Sequence, residues 1–137
     1  MSKSALLNTI AGLNQNRIHP LWLIGGDFNM ITRLEEKRGG RPKLETESSL
    51  FKNFIQNQQL IDLQFCNGLF TWSNRRTGRQ NIASKLDRFL ISDNAIHIGG
   101  DLSASIIPLP GSDHWQISLQ WQRMVQTARR PFRFEAF

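Results

Sequence analysis

Gly25-Gly26-Asp27-Phe28-Asn29, Ser84-Lys85-Leu86-Asp87 and Gly111-Ser112-Asp113-His114 bring acid, amide and imidazole groups to the ends of predicted strands. Groups of these types, gathered at one sheet edge, can hold a divalent metal and hydrolyse a phosphodiester. Asp27 and Asn29 stand two apart, so on extended backbone they project to the same side. The carboxylate can orient a water, and the carboxamide can donate to a phosphoryl oxygen. The same two residues also suit an ordinary turn.

Asp113 and His114 follow Pro108, Pro110 and Gly111, which predict a loop in which two neighbours can share a site. The imidazole suits proton transfer or phosphate contact near neutral pH. The Asp113 carboxylate suits Mg2+, which takes oxygen ligands. A surface Asp-His turn is the plain alternative. Asp87 shares a predicted strand face with Phe89 and Ile91, where a carboxylate needs a partner. His114 can serve: a carboxylate on the ring fixes its tautomer and raises its basicity. A salt bridge to Lys85, Arg88 or another cation is the alternative.

The elements that must position these groups come from a chain of 137 residues, enough for one domain with a modest core. Hydrophobic residues make up 39%, which excludes wholesale disorder. Seventeen Lys and Arg against eleven Asp and Glu give a net charge of +6 and a pI near 10.5. That balance favours a polyanionic partner such as nucleic acid. Cys66 is the single cysteine, so an intrachain disulfide is excluded. No apolar run approaches transmembrane length and no signal-peptide core follows Met1, so an intracellular protein of nucleus or cytoplasm, with no membrane partner, is expected.

Ser4 to about Asn16 predicts a helix with Leu6, Leu7, Ile10 and Leu13 on one stripe. Leu21-Trp22-Leu23-Ile24, bounded by Gly25-Gly26, predicts a buried central strand. Thr46 can cap a second helix with Leu50, Phe51, Phe54 and Ile55 on its apolar face. The period then changes to two, through Ile61, Leu63 and Phe65, then Phe70 and Trp72. Asn74 to Asn81 predicts a basic turn, and Ser84 to Ile91 predicts one strand. Trp115, Ile117, Leu119 and Trp121 alternate with Gln and Ser, which predicts a strand with one packed and one wet face. Two helices followed by many strands indicate an α/β or α+β sandwich.

In this order the motifs resemble the endonuclease/exonuclease/phosphatase superfamily, and within it the endonuclease domain of plant LINE-type (non-LTR) retrotransposon polyproteins. The resemblance covers almost the whole chain. It runs through Leu23-Ile24-Gly25-Gly26-Asp27-Phe28-Asn29, Lys37-Arg38-Gly39-Gly40, Phe70-Thr71-Trp72-Ser73-Asn74 and Ser84-Lys85-Leu86-Asp87-Arg88-Phe89-Leu90. It continues through Pro110-Gly111-Ser112-Asp113-His114-Trp115-Gln116-Ile117 and reaches Pro131-Phe132-Arg133-Phe134-Glu135. As a set these motifs are highly specific.

The resemblance implies a four-layered α/β sandwich of the DNase I-like type, with a Mg2+ site (or Mn2+) at one rim. It implies that Asp27 orients or deprotonates the attacking water and that Asn29 contacts the scissile phosphate. Asp87 would orient His114, Asp113 would assist the metal, and His114 would contact the phosphate or transfer a proton. DNA would lie against the turn carrying Arg75, Arg76 and Arg79, with Lys85 and Arg88 nearby. His19, His97 and Cys66 are expected to be bystanders.

Family members also carry a first half that supplies an Asn and a metal-binding Glu. This chain lacks that pattern, so a truncated fold is expected, with residues 1–128 as its C-terminal part. Residues 129–137 would form a tail toward a reverse transcriptase domain. Glu35, Glu36, Glu45 and Glu47 lie after Asp27, in the wrong topological place to replace the missing Glu, and the chain has no Tyr. Loss of the principal ligand would lower the rate by about three or more orders of magnitude, leaving the chain inactive or very weak. Sheet edges left open would invite self-association. The leading expectation is a fragment of a Mg2+-dependent DNA endonuclease. The alternatives are an inactive remnant that at most binds nucleic acid, and a phosphatase acting on a small phosphorylated molecule.

Overall fold

The computed structural model describes residues 2–41, 46–98 and 100–122. The expected tail at 129–137 lies outside the described residues, as does the part of the expected domain beyond Gln122.

Helix α1 spans Lys3–Gln15, and the Ser2 hydroxyl caps it by accepting from the Ala5 N–H at 3.1 Å. Leu7 and Ile10 are buried, whereas Leu13 at the far end of the predicted stripe is 60% exposed. Helix α2 spans Thr46–Asn57 and buries Phe51 and Phe54, while Leu50 faces outward. Both helices contribute to one core with Phe28, Met30, Leu60 and Leu90. Phe28 and Phe51 stack there with ring centroids 5.2 Å apart.

That core lies against a sheet of β1 (Leu23–Asp27), β3 (Leu60–Asp62) and β6 (Asp87–Ser92), in the order β1-β6-β3, antiparallel throughout. A second sheet joins β2 (Lys37–Arg38), β4 (Trp72–Ser73) and β5 (Ala83–Ser84), with β5 in the middle. A third pairs β7 (Asp101–Ile107) with β8 (Gln116–Gln122). Phe65, Ala104 and Ile106 form a smaller core beneath β7 and β8, with Ile117 and Leu119 against it.

The structure differs from expectation in two strands. The central buried strand is β6, whose residues are nearly all buried; β1 is an edge among the described residues, and Leu23 is 44% exposed. β1 also runs through its glycines to Asp27 instead of stopping at them. Gly25 is required there because a Cβ would meet the Phe89 ring at 2.7 Å, so the cross-strand Phe89 covers the bare edge backbone. The predicted strand from Ser84 to Ile91 is broken at Lys85 and Leu86. Its first part pairs with β2 and β4, and its second with β1 and β3. One continuous segment thereby stitches two sheets together.

The basic turn at 74–81 is as predicted, a hairpin loop between β4 and β5. Asn74 closes it: its Oδ1 accepts from the N–H groups of Arg76 and Ile82, and its Nδ2 donates to Gln80 O. Gly39 makes the neighbouring turn possible, with φ of 80° and a position where any Cβ would sit 2.1 Å from Asn81 O.

Candidate active site

Antiparallel pairing sets Asp27 on β1 directly opposite Asp87 on β6. Like charges so placed repel. His114 answers both: its Nδ1 lies 2.9 Å from Asp87 Oδ2 and its Nε2 lies 3.7 Å from Asp27 Oδ2. One ligand atom from each of the three residues lies within 4.8 Å of the others. Burial of the ring pulls the His114 pKa down, but the hydrogen bond and charge of Asp87, then the charges of Asp27 and Asp113, outweigh it. The net pKa is raised above the usual imidazole value.

Each member is held by its own local structure. Asp27 Oδ1 accepts from the Asn29 N–H at 2.8 Å, and Asn29 takes a φ of 53°, a left-handed conformation that Asn tolerates. The turn-building reading of Asp27 and Asn29 is therefore correct for part of Asp27, while its other oxygen faces His114. Phe28 N donates to Leu86 O, which ties this turn to the segment that carries Asp87. The buried Thr71 hydroxyl accepts from both Leu86 N and Asp87 N, at 3.1 and 3.0 Å, and so sets the backbone at the base of Asp87.

Asp27, Asn29 and His114 line a cleft of about 540 Å3, together with Trp72, Lys37, and the pair Lys3 and Glu47, whose Nζ and Oε2 are 2.6 Å apart. The loop expected from the prolines is present, with a turn at Pro110-Gly111 and a bend at Asp113, and it runs beside residues 71–73: Ser73 N donates to Asp113 O, Trp115 N donates to Thr71 O, and His114 bridges to Trp72. His114 lines the cleft, while Asp113 lines a second hollow of about 330 Å3 that shares Trp72 with it, close enough for the Asp113 charge to act on the imidazole.

Lys85 and Arg88, expected near DNA, are fully buried, which corrects that placement. The Arg88 guanidinium donates to Glu36, to Asp62 at 2.5 Å, and to the carbonyls of Met30 and Lys85. Lys85 Nζ lies 3.5 Å from Asp62. Burial disfavours the Glu36 carboxylate, but the Arg88 hydrogen bonds, its charge and the Thr32 N–H hold its pKa below the usual value. Burial lowers the Lys85 pKa. These cations satisfy interior acids and anchor Met30, the residue after Asn29. Arg75, Arg76 and Arg79 are exposed on the β4–β5 loop, and Arg75 Nη1 donates to Gly111 O at 3.0 Å, three residues before His114.

Sequence reasoning missed Thr71, Lys3 and the Glu36–Asp62 hub. Thr71 lies inside the Phe70-Thr71-Trp72 motif, but only its contact with the Asp87 backbone reveals its role. Glu47, set aside on topological grounds, does line the cleft, although it pairs with Lys3 and lies outside the Asp27–Asp87–His114 group.

No protein-family model matches the sequence, and no curated protein sequence does. Among solved structures, the fold is similar to the endonuclease domain of TRAS1, a telomere-specific non-LTR retrotransposon, with a TM-score of 0.63 at 16% identity. The fold is DNase I-like. The likeness covers 90% of this chain and 52% of the other, so this chain spans about half the length of its neighbour. A DNase I-like arrangement of mixed α and β elements is what the motifs implied, here as three small antiparallel sheets and two helices among the described residues. No helix of the described residues is long and apolar enough to cross a membrane.

Proposed function

We propose that this chain is a fragment of a DNA endonuclease domain of the LINE type, a phosphodiesterase that nicks target DNA. The observation that carries this reading is His114 held between Asp87 and Asp27 at the mouth of a cleft within a DNase I-like fold. Asp87 fixes the ring, and Nε2 faces the cleft as a proton carrier or as a cationic contact for a phosphoryl oxygen. Asp27 orients the attacking water and accepts its proton. The water oxygen bonds to phosphorus as the bond to the leaving oxygen breaks. Asn29 supplies an amide donor to the phosphate. The exposed Arg75, Arg76 and Arg79 lie against the DNA backbone.

The resemblance implies Mg2+ or Mn2+, but the donors gathered in this cleft do not make a magnesium cage. Mg2+ takes oxygen ligands in strict geometry. Here one of the three groups is an imidazole, Asp87 spends an oxygen on it, and Asp27 has one oxygen on the Asn29 N–H. Asp113, the expected metal ligand, lines a different hollow. A metal at this rim needs ligands beyond these residues, so a second reading has support: a remnant that binds nucleic acid and cleaves it weakly or not at all. The reverse transcriptase domain of an intact polyprotein and a second copy of this chain are the proposed protein partners.

Nicking of supercoiled plasmid in Mg2+, in Mn2+ and in chelator tests the reading, beside His114→Ala and Asp27→Asn. Slow nicking that disappears in both variants supports it. Nicking that survives both substitutions is contamination, and binding without nicking selects the second reading.

A further inference from the structure

The Lys37-Arg38-Gly39-Gly40 string contributes nothing to the Asp27–Asp87–His114 group, yet strand register brings its first residue to the same cleft. β2 pairs with β5 so that Lys37 stands opposite Ser84 and Arg38 opposite Ala83. Neighbours on a strand turn to opposite faces. Lys37 and Ser84 accordingly line the cleft that holds Asp27 and His114, whereas Arg38 and Ala83 line the second hollow. The two glycines then fold the chain back over the lysine. Both have positive φ, 80° and 68°. A Cβ on Gly40 would lie 3.5 Å from Lys37 Cε and 3.3 Å from Ile82 Cδ1, so the turn runs along the lysine stem. Past the turn, the Arg41 carbonyl accepts from Lys37 Nζ at 3.5 Å, a long hydrogen bond.

The charges around the cleft give this lysine a use. Asp27 and Glu47 line it with negative charge, and Lys3 is spent on Glu47 at 2.6 Å. The buried cations Lys85 and Arg88 are spent on Asp62 and Glu36. Arg38, facing the other way, covers the Phe70 ring at 5.0 Å and donates to Asn81 Oδ1 at 3.3 Å. Among the described residues Lys37 makes no ion pair, so its ammonium has donors to spare. A phosphodiester entering the cleft brings its negative charge toward Asp27, and a cation must offset that repulsion. We propose that Lys37 binds the phosphodiester in this cleft, its ammonium donating to a phosphoryl oxygen beside Asp27 and His114. The proposal deepens the reading of the chain as a DNA phosphodiesterase and rests on it. An ammonium is a point charge with three rotatable donors, which suits a phosphate and carries no base preference. The glycine turn confines the stem beforehand, which lessens the side-chain freedom lost on binding.

The test is binding of a short labelled DNA duplex to the full chain, read by fluorescence anisotropy over a series of salt concentrations. Lys37→Gln should weaken binding about five- to tenfold at about 0.1 M salt and flatten the dependence of log affinity on log salt by about one unit. The loss should be the same for duplexes of different sequence, with the fold intact by circular dichroism. Lys37→Arg, which keeps the charge, should restore most of the affinity. Lys52→Gln, at an exposed position on α2 outside the cleft, makes the same change in net charge and should bind like the parent. Lys37→Met keeps the apolar stem and gives the same reading if the Gln variant unfolds. Parent-like affinity and slope in Lys37→Gln and Lys37→Met overturn the proposal and leave the DNA reading standing. A loss in Lys52→Gln equal to that in Lys37→Gln reports long-range charge alone and overturns it too. Absence of binding by the parent at low salt sinks both.

Discussion

Asp27 and Asp87 face each other across the paired strands β1 and β6, and His114 reaches both of them. Two opposed carboxylates raise the proton affinity of the ring between them. The folded-state pKa of His114 is raised, so its contribution to stability is fully present below the unfolded value of about 6.5 and is lost as pH rises through the folded value. Denaturant unfolding of the protein and of His114→Ala should therefore differ most near about pH 5.5 and converge toward about pH 9. A gap that does not change over that range would show that the ring contributes only packing.

The interior hub makes Arg88 a structural residue. Removing its guanidinium leaves Glu36 and Asp62 without their main partner in a buried site. Arg88→Met should cost about 3–5 kcal/mol in urea unfolding. Glu36→Gln in the same background should recover part of the loss. The Glu36 pKa is lowered, so its contribution is present above about 4.5 and disappears as pH falls through the lower folded value. If Arg88→Met is as stable as the parent, the hub contributes little.

Thr71→Val replaces the hydroxyl that accepts from Leu86 N and Asp87 N with a methyl group of similar shape. Two buried N–H groups then go without their acceptor, at a cost of about 1–3 kcal/mol. Thr71→Ser should behave like the parent. Thermal unfolding measures the cost. Nicking rate, where the parent has one, should fall with it because Asp87 loses its seat. Equal melting of the Val and Ser variants would remove Thr71 from the site.

Among the described residues Arg76 and Arg79 make no side-chain hydrogen bond or ion pair, and Arg75 makes one, to the exposed Gly111 carbonyl, so replacing each with Ala should change thermal stability little. In DNA binding, removing an arginine that neutralises a phosphate should flatten the dependence of log affinity on log salt by about one unit. A slope that the triple variant shares with the parent would clear this loop of any role.

β1 is open on one side among the described residues, and Leu23 is 44% exposed on it. Edges of this kind recruit other strands. Light scattering should find association that rises with concentration, and Leu23→Lys should shift it toward monomer. A monodisperse monomer with a sharp thermal transition speaks against the open edge.

The parts of the fold that were legible in the sequence are those in which local pattern and tertiary packing agree. Leu7, Ile10, Phe51 and Phe54 mark helical faces, and the polar hairpin at 74–81 follows from its own turn residues. The Asp87–His114 pair was one of the alternatives residue type offered, and its convergence with Asp27 followed from the family resemblance. The fate of Lys85 and Arg88 was not. A cation on a strand is read as exposed because isolated buried charge is costly, and nothing local announces that Glu36 and Asp62 arrive from distant positions to neutralise it. The loop that the two prolines and Gly111 predict is present, but a turn's residues do not announce which hollow each side chain lines, and Asp113 and His114 line different ones.

Antiparallel register has an alternating consequence for β1 and β6. A shift of one position along that seam would swing every side chain of β1 to the opposite surface, turning Asp27 away from the imidazole and bringing Leu23 and Gly25 out of their present rows. Phe89 spread over Gly25 is the latch against such slippage, since no other residue leaves room for that ring. An aromatic outside the Asp27–Asp87–His114 group thus guards the alignment of that group.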